Sequence, residues 1–568
     1  MSSRWLIKPI PDQTLVSQLQ KDINVPHALA QILVQRDILD FNAAKEFFRP
    51  ELEKLHDPYL MKDMDKAVER IKLAIQNQEN IMVYGDYDVD GTTSVSLMYG
   101  FIKSIYPNVT YYIPDRYVEG YGISKIGIDY AADNGVSLII ALDCGVKAVD
   151  KIAYANELSI DFVICDHHLP GKELPQAIAV LDPKREDCAY PFKGLSGCGV
   201  GFKLIQALSP EFHISDEDLY AYLDLVVVSI AADIVPISGE NRILAHFGLK
   251  LLNSKPRLGL KMLISSEIAG HLNISRIVFS IAPKINAAGR IKHATDAVKL
   301  LMAENEMTAR AYMSDINALN TQRKDLDAEI TDSALNQIRE NNEEHKFSTV
   351  VYNPNWHKGV IGIVASRLTE VYYRPTVVFT KGEDGFLVAS ARSVREFDVH
   401  EALVECSDLL DRFGGHMYAA GLTMNEVNLP NFKRKFEQIV ERNILQTQRT
   451  PTIEIDTEIS FSEITPKFVR ILKQFQPFGP GNMTPQFLSR DVVSGGFEKQ
   501  MGKNKEHLKL NVFHPDVRQV FTAIGFGFGD LIKKIKAEPF DMVYTIEENI
   551  WQGKSHLQLN IKDIRFKE

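Results

Sequence analysis

The sequence predicts an α/β protein: a parallel-sheet domain, a long connecting helix, a second α/β domain and a C-terminal β domain. Three observations carry this prediction. Short β-rich apolar runs alternate with helix-length segments between residues 80 and 235. Neither Gly nor Pro occurs between Gly289 and Pro354. Beyond about residue 450, short strand candidates separated by turn residues dominate. A chain of 568 residues has room for several domains at roughly 150 residues each.

Residues 1–75 read as an N-terminal helical cap with a Pro-containing connection. Residues 76–290 form the first α/β domain, with strand candidates "IMVY" (81–84), "TYYI" (110–113), "LIIAL" (138–142), "FVIC" (162–165) and "IAVL" (178–181). Nearly continuous apolar runs of this kind suit a parallel sheet covered on both faces. Residues 218–232 read as a buried helix. In the segment 291–345, apolar residues recur at helical spacing: Tyr312, Ile316, Leu319, Leu326, Ile330, Ala334 and Ile338. The spacing predicts a helix over 306–343, roughly 55 Å long at ~1.5 Å per residue. So long an element reads as a spacer between two domains. Strand and helix alternation resumes over 346–450 with "STVVYN", "TVVFT" and "FLVASAR". Residues 451–568 read as a small β domain, with "PFGPGN" (477–482) as a turn-rich hinge.

Composition narrows the function classes. The chain is 45% hydrophobic and 24% charged, with 64 Lys+Arg against 74 Asp+Glu. A net charge of −10 excludes a blanket polyanion binder. The longest apolar stretch, Leu225 to Ala232, is far below the ~20 residues of a membrane span. The N-terminus shows no apolar run long enough for a signal peptide. Five cysteines without a CxxC pair fit a reducing compartment, so a cytoplasmic protein without membrane association is expected.

The chemistry concentrates in the first α/β domain. "IMVY" runs into "GDYDVDG", which holds Asp86, Asp88 and Asp90. "LIIAL" ends at Asp143, and "FVIC" ends at Asp166, His167 and His168. Three successive strands thus place acids just beyond their carboxyl ends, the edge where open parallel sheets bind ligands. A fourth acid, Asp233, follows the apolar helix in "SIAADIVP". Singly, each motif reads as a solvated turn or a helix cap; the conjunction is the signal. Bare acids in such number would repel one another. Hard oxygen donors with one or two imidazoles suit Mn²⁺ or Mg²⁺. Five or six ligands suit two ions, which together can activate water and neutralise charge at phosphorus. A dinuclear metal phosphoesterase is the expectation.

"VYGDYDVDG", "ALDCG", "CDHH" and "AADIVP" resemble the four motifs of the DHH phosphoesterase superfamily. "PDRYVEGYG", "YPFKGLSGCGVGFKL", "INAAGR", "WHKGVIGIVASRL", "SARS", "FGGHMYAAG" and "PFGPGN" are similar, in order, to stretches of its RecJ family of single-strand-specific exonucleases. The resemblance runs from about residue 25 to the C-terminus. It implies that residues 76–290 are the DHH catalytic domain, 346–450 the DHH-associated substrate-binding domain and 451–568 an OB-fold, a β-barrel.

The resemblance also implies roles. Two divalent cations, Mn²⁺ or Mg²⁺, would be held by Asp88, Asp90, Asp143, His167 and Asp233, with Asp143 between the ions. Asp86 and Asp166 would orient these ligands. His168 would bind the scissile phosphate or protonate the leaving oxygen. Superfamily members often carry His four residues before the first ligand Asp; here that residue is Tyr84. Arg116, Arg290, Ser390 and Arg392 match positions that grip a terminal 5′-phosphate, with His357 either a further contact or part of helix-entry packing in "WHKGVIGIVAS". Gly414, Gly415 and His416 in "GGHMYAAG" would approach the phosphate backbone closely. In the OB-fold, Phe497, His507, Phe513 and Trp551, with Lys499, Lys503, Lys505 and Lys509, are candidates for stacking bases and tracking phosphates.

The activity so implied is 5′-to-3′ hydrolysis of single-stranded DNA to mononucleotides, in DNA repair and recombination. The strand would pass between the two α/β domains. A monomer is expected, recruited by single-strand-binding protein and a helicase. Two rivals are weaker. A DHH phosphoesterase acting on short RNA or cyclic dinucleotides would lack the appended β domain. A non-catalytic binding scaffold would have lost metal ligands, whereas every position is filled. The acidic balance fits as well: residues 451–568 hold 16 Lys+Arg and 15 Asp+Glu, so the acid excess lies in the rest of the chain, where the proposed metal site is.

Overall fold

The computed structural model describes residues 3–382, 385–551 and 554–567. It divides into two compact units that are discontinuous in sequence. One comprises Arg49–Lys324 with Gln476–Met483; the other comprises Met1–Phe48, Asp325–Phe475 and Thr484–Glu568.

The first of these is built on a five-stranded, all-parallel sheet. Its spatial order is Val109–Tyr112, Asn80–Gly85, Val136–Leu142, Asp161–Cys165, Ala179–Leu181. All five strand candidates are therefore present. Their side chains alternate between two cores. Ile81, Val83, Leu138 and Ile140 face a large core with residues of the helices Val89–Ile105, Gly197–Leu208 and Leu223–Ala232. Met82, Tyr84, Ile139 and Ala141 face a smaller one with Ile128, Ala131, Ile152 and Ala155. Coverage of both faces is why the strands read as unbroken apolar runs rather than alternating ones. The helix expected over 218–232 is two, Asp216–Tyr220 and Leu223–Ala232.

The second unit contains a mixed five-stranded sheet, ordered Arg412–His416, Ala419–Asn425, Phe386–Arg392, Thr376–Lys381, Thr349–Tyr352. Only its last pair is parallel. The C-terminal strands close into a barrel, because Phe487–Ser494 pairs with both Phe540–Trp551 and His507–Phe513. Closure satisfies the edge groups that an open sheet would leave bare. The long helix spans Glu306–Glu340, three residues shorter at its C-terminal end than the sequence expectation. Within this helix, residues up to Lys324 belong to one unit and residues from Asp325 to the other.

Two segments depart from the sequence reading. The N-terminal residues are not purely helical: Arg4–Ile7 is a strand paired in parallel with Thr452–Ile455. The indole of Trp5 donates to Asp563 Oδ2 at 2.7 Å. The "PFGPGN" turn is grouped with residues 49–324, where Ile237 N donates to Pro480 O at 2.6 Å. A Cβ at Gly479 would fall 2.5 Å from Ile237 Cγ1, so only glycine permits this approach. The segment is packed rather than hinge-like.

Candidate metal centre

The loop after Asn80–Gly85 turns at once into the helix Val89–Ile105. Asp88 caps that helix, its carboxylate accepting from Gly91 N at 3.0 Å. Gly91 is required by space: a Cβ there would lie 2.3 Å from Asp86 O. Asp90, in the first turn, is held by another helix start. Gly197 N donates to its Oδ2 at 2.7 Å and Cys198 N to its Oδ1 at 2.8 Å. Ser229 Oγ donates to the same Oδ1 at 2.7 Å. The amino end of Gly197–Leu208 thus supplies both hydrogen bonds and a favourable dipole to this carboxylate.

Asp143 follows the central strand in a left-handed conformation (φ 59°), with its N–H on Cys165 O at 2.9 Å. Asp166, one strand over, accepts from Val146 N (2.9 Å), His167 N (2.7 Å) and His168 Nδ1 (2.7 Å). Burial alone would raise this carboxyl. The hydrogen bond and charge of His168, with these backbone donors, hold it instead at about 2. In the same exchange Asp166 outweighs the desolvation of His168 and raises its imidazole pKa.

Among the described residues, two triads place their ligand atoms mutually within 4.8 Å: Asp143, His167 and His168, and Asp90, His167 and Asp233. His167 Nε2 is 3.2 Å from Asp143 Oδ1, 3.6 Å from Asp233 Oδ2 and 3.8 Å from Asp90 Oδ2. The other ring nitrogen, Nδ1, lies 3.0 Å from Leu195 O. A carbonyl only accepts, so Nδ1 carries the proton and Nε2 presents a lone pair when the ring is neutral. Burial keeps it neutral, lowering its pKa. A lone pair therefore faces three carboxylates. His167 Nε2 and Asp143 Oδ1 are both buried without a hydrogen-bond partner among the described residues, as is Asp86 Oδ1.

Opposed, buried, unpartnered acceptors are what a cation requires, and the oxygen-rich donor set fits Mn²⁺ or Mg²⁺. The electrostatics agree. Burial, then the charges of Asp90, Asp88, Asp86 and Asp233, push the Asp143 carboxyl far up. Burial with Asp90 and Asp88 takes Asp233 up to about 8. Burial raises Asp88 and Asp86 too, each aided by the next carboxylate along. Protons hold such a site together without a metal, and cation binding would release them.

The remaining expected residues fall into two groups. Arg116 and Arg290 lie in the same unit as the carboxylates, and both converge on Tyr87, between Asp86 and Asp88. The Arg116 guanidinium stands 4.6 Å from the Tyr87 ring centre. Arg290 follows Gly289, where a Cβ would lie 2.8 Å from Tyr87 O. Its carbonyl accepts from Tyr117 OH. In the other unit, Arg392 Nη1 donates to Ser390 Oγ at 2.9 Å. A Cβ at Gly362, near the start of helix Ile361–Tyr372, would come 3.0 Å from both side chains. His357 is in the turn just before that helix, its Nδ1 accepting from Gly359 N at 3.1 Å. The sheet register carries Ser390 across to Gly421 and on to Gly414, and Arg392 to Ala419 and on to His416. Gly414, Gly415 and His416 are exposed.

In the barrel, Phe497 is 85% exposed and His507 packs on the exposed Phe526 with ring centres 5.1 Å apart. Phe513 is half-buried, and Lys499, Lys503, Lys505 and Lys509 are exposed. The side chain of Trp551 lies outside the described residues.

Sequence reasoning missed several participants. Ser229 sits inside an apolar helix and has no local signature. Tyr121 donates to Asp143 O at 3.1 Å and lies 3.2 Å from His168 Nε2. The amides of Gly197 and Cys198 were legible only as a Ser-capped helix start at Ser196. Asp182 follows the edge strand Ala179–Leu181, fully buried with Oδ2 unpartnered among the described residues, its carboxyl taken by burial to about 7.

Residues 80–230 match the DHH family, N-terminal domain, residues 345–442 the DHHA1 domain, and residues 455–563 the RecJ OB domain. The chain is 37% identical to the single-stranded-DNA-specific exonuclease RecJ of Bacillus subtilis, over 100% of this chain and 71% of that one. It is 30% identical to the Dickeya dadantii protein of the same name, over 95% of this chain and 96% of the other. The fold superposes on RecJ of Thermus thermophilus solved with Mn²⁺ (TM-score 0.85, 26% identity, 100% of this chain and 80% of that one). The Mg²⁺ complex of the same protein gives a TM-score of 0.78 at 25% identity, covering 100% of this chain and 79% of that one. The chain belongs to the RecJ family of metal-dependent, single-stranded-DNA-specific exonucleases.

Proposed function

We propose that the protein degrades single-stranded DNA from the 5′ end to mononucleotides, using two divalent cations. The observation that carries the metal-dependent chemistry is the unpartnered His167 Nε2 lone pair facing Asp143, Asp90 and Asp233. Asp88, Asp90, Asp143, His167 and Asp233 would hold the ions. When bound, such ions supply a water of lowered pKa and neutralise charge building on the phosphoryl oxygens.

The protein's own groups do the rest. The α-helix start at Gly197 fixes Asp90, and Leu195 O fixes the tautomer of His167. His168, its proton retained by Asp166, donates to the leaving oxygen. Arg392 and Ser390, with His357 and the start of helix Ile361–Tyr372, bind the 5′-phosphate; the planar guanidinium suits phosphate oxygens. Arg116 and Arg290 add positive charge beside Tyr87. Gly414, Gly415 and His416 contact the backbone, and the barrel holds the trailing strand.

Polarity, mononucleotide products, a repair and recombination role, a monomeric state, a cytoplasmic location and recruitment by single-strand-binding protein and a helicase rest on the family resemblance. The deciding experiment uses single-stranded DNA labelled at either end, with and without Mn²⁺. Metal-dependent release of 5′-labelled mononucleotides is expected. Release from the 3′ end alone overturns the polarity.

A further inference from the structure

The helix Leu223–Ala232 ends at Asp233, and the next residue, Ile234, takes the left-handed conformation (φ 58°). That position after a helix is ordinarily glycine's. Ile234 is the only β-branched residue among the described non-glycine residues with positive φ, and a branched Cβ makes this a strained choice. Core packing does not repay the strain, since Ile234 is 63% exposed. An isolated exposed aliphatic needs no explanation. An exposed aliphatic in a strained backbone, one residue beyond a member of the carboxylate–imidazole cluster, does. A second stands in the equivalent place: Leu169, the residue after His168, is 64% exposed.

We propose that Ile234 is a substrate-contacting residue whose aliphatic side chain packs on the base of the nucleotide being removed. The inference rests on the exonuclease reading above and adds to it a sequence-independent grip. A branched alkyl group has no hydrogen-bonding capacity, so it cannot distinguish one base edge from another, whereas every base offers an apolar face. A left-handed backbone kept by an exposed branched residue beside the cluster is strain retained for function rather than for packing.

The test compares wild type, Ile234→Gly and Ile234→Asn. Both substitutions tolerate the left-handed conformation and remove the apolar group. Steady-state hydrolysis is measured on strands with an ordinary or an abasic terminal nucleotide, alongside thermal melting and the Mn²⁺ concentration for half-maximal rate. On ordinary ends KM should rise roughly tenfold in both variants, the scale of one lost apolar contact in a substrate pocket, with the change in KM exceeding that in kcat. On abasic ends wild type and variants should have similar KM values. The melting temperature of Ile234→Gly should rise and its Mn²⁺ requirement should not. An equal KM penalty on abasic ends, or an unchanged KM on ordinary ends, overturns the proposal. A raised Mn²⁺ requirement overturns it in favour of positioning of Asp233. Failure of the wild type to hydrolyse any strand overturns the exonuclease reading instead, and this inference with it.

Discussion

Replacing Asp143 by asparagine should make the metal-free protein more stable at alkaline pH and the metal-supplied protein inactive. Asp143 Oδ1 is buried, has no donor among the described residues, and faces the His167 Nε2 lone pair at 3.2 Å. A buried acceptor left unsatisfied costs about 1–3 kcal/mol. While it keeps its proton the raised Asp143 carboxyl can itself donate to Nε2; once that proton is lost at alkaline pH, an asparagine Nδ2 in that place would still donate to Nε2 and would remove a charge that Asp90, Asp88, Asp86 and Asp233 oppose. The metal-free gain at alkaline pH should therefore be about 1–3 kcal/mol by the same measure, or a rise of roughly 2–4 °C per kcal/mol in the melting of the unit that holds the site. Metal reverses the order. A ligand at 100 times its Kd stabilises the native state by about 2.7 kcal/mol, and Asp143→Asn forfeits a charged ligand. The assay is paired thermal melting in EDTA and in excess Mn²⁺, with exonuclease rates on a labelled single strand. In EDTA at alkaline pH wild type should melt lower than the variant, and in Mn²⁺ at neutral pH higher. A variant that melts lower in EDTA at alkaline pH refutes the argument from opposed acceptors. One that keeps more than a tenth of wild-type activity refutes the role of Asp143 in the metal site.

Ser229→Ala removes one of the donors that hold Asp90 Oδ1, so the Mn²⁺ concentration for half-maximal activity should rise about 10–100-fold; an unchanged titration curve would show that Ser229 does not position Asp90. Gly197→Ala places a Cβ 2.6 Å from Asp143 Cβ and 2.7 Å from its Oδ1. Crowding of this kind costs about 1–3 kcal/mol, and melting should lose its response to Mn²⁺. Arg392→Ala should weaken engagement of 5′-phosphorylated ends by about 1.5–3 kcal/mol, the scale of a hydrogen bond to a charged group, and spare 5′-hydroxyl ends. Equal effects on both ends would remove Arg392 from the phosphate pocket.

The carboxylate edge was legible because its information is local. A strand that ends in an acid can be read from a few adjacent residues. Parallel pairing then brings Asp86, Asp143 and Asp166 to one edge of the sheet without further specification. The long helix was legible for the same reason: a period and the absence of breakers are properties of a window. What stayed hidden is non-local. "RWLI" is a strand only because residues 452–455 lie beside it, some 450 positions away, and four residues carry no period of their own. "PFGPGN" reads as a hinge from composition, yet Gly479 is there for the side chain of Ile237. Ser229 looks like one polar interruption in "LVVVSIAA" until its partner, Asp90, is known. The distinction has a chemical consequence. Local motifs name the charges of the site, and the non-local contacts decide which of those charges the protein satisfies by itself. Asp90 receives backbone and hydroxyl donors, and Asp166 receives His168 and three amides. Among the described residues, Asp143 Oδ1 and His167 Nε2 receive none. That contrast separates groups whose orientation the protein fixes, Asp90 among the proposed ligands and Asp166 beside them, from atoms left open to a cation, and no count of acids along the chain could have drawn it.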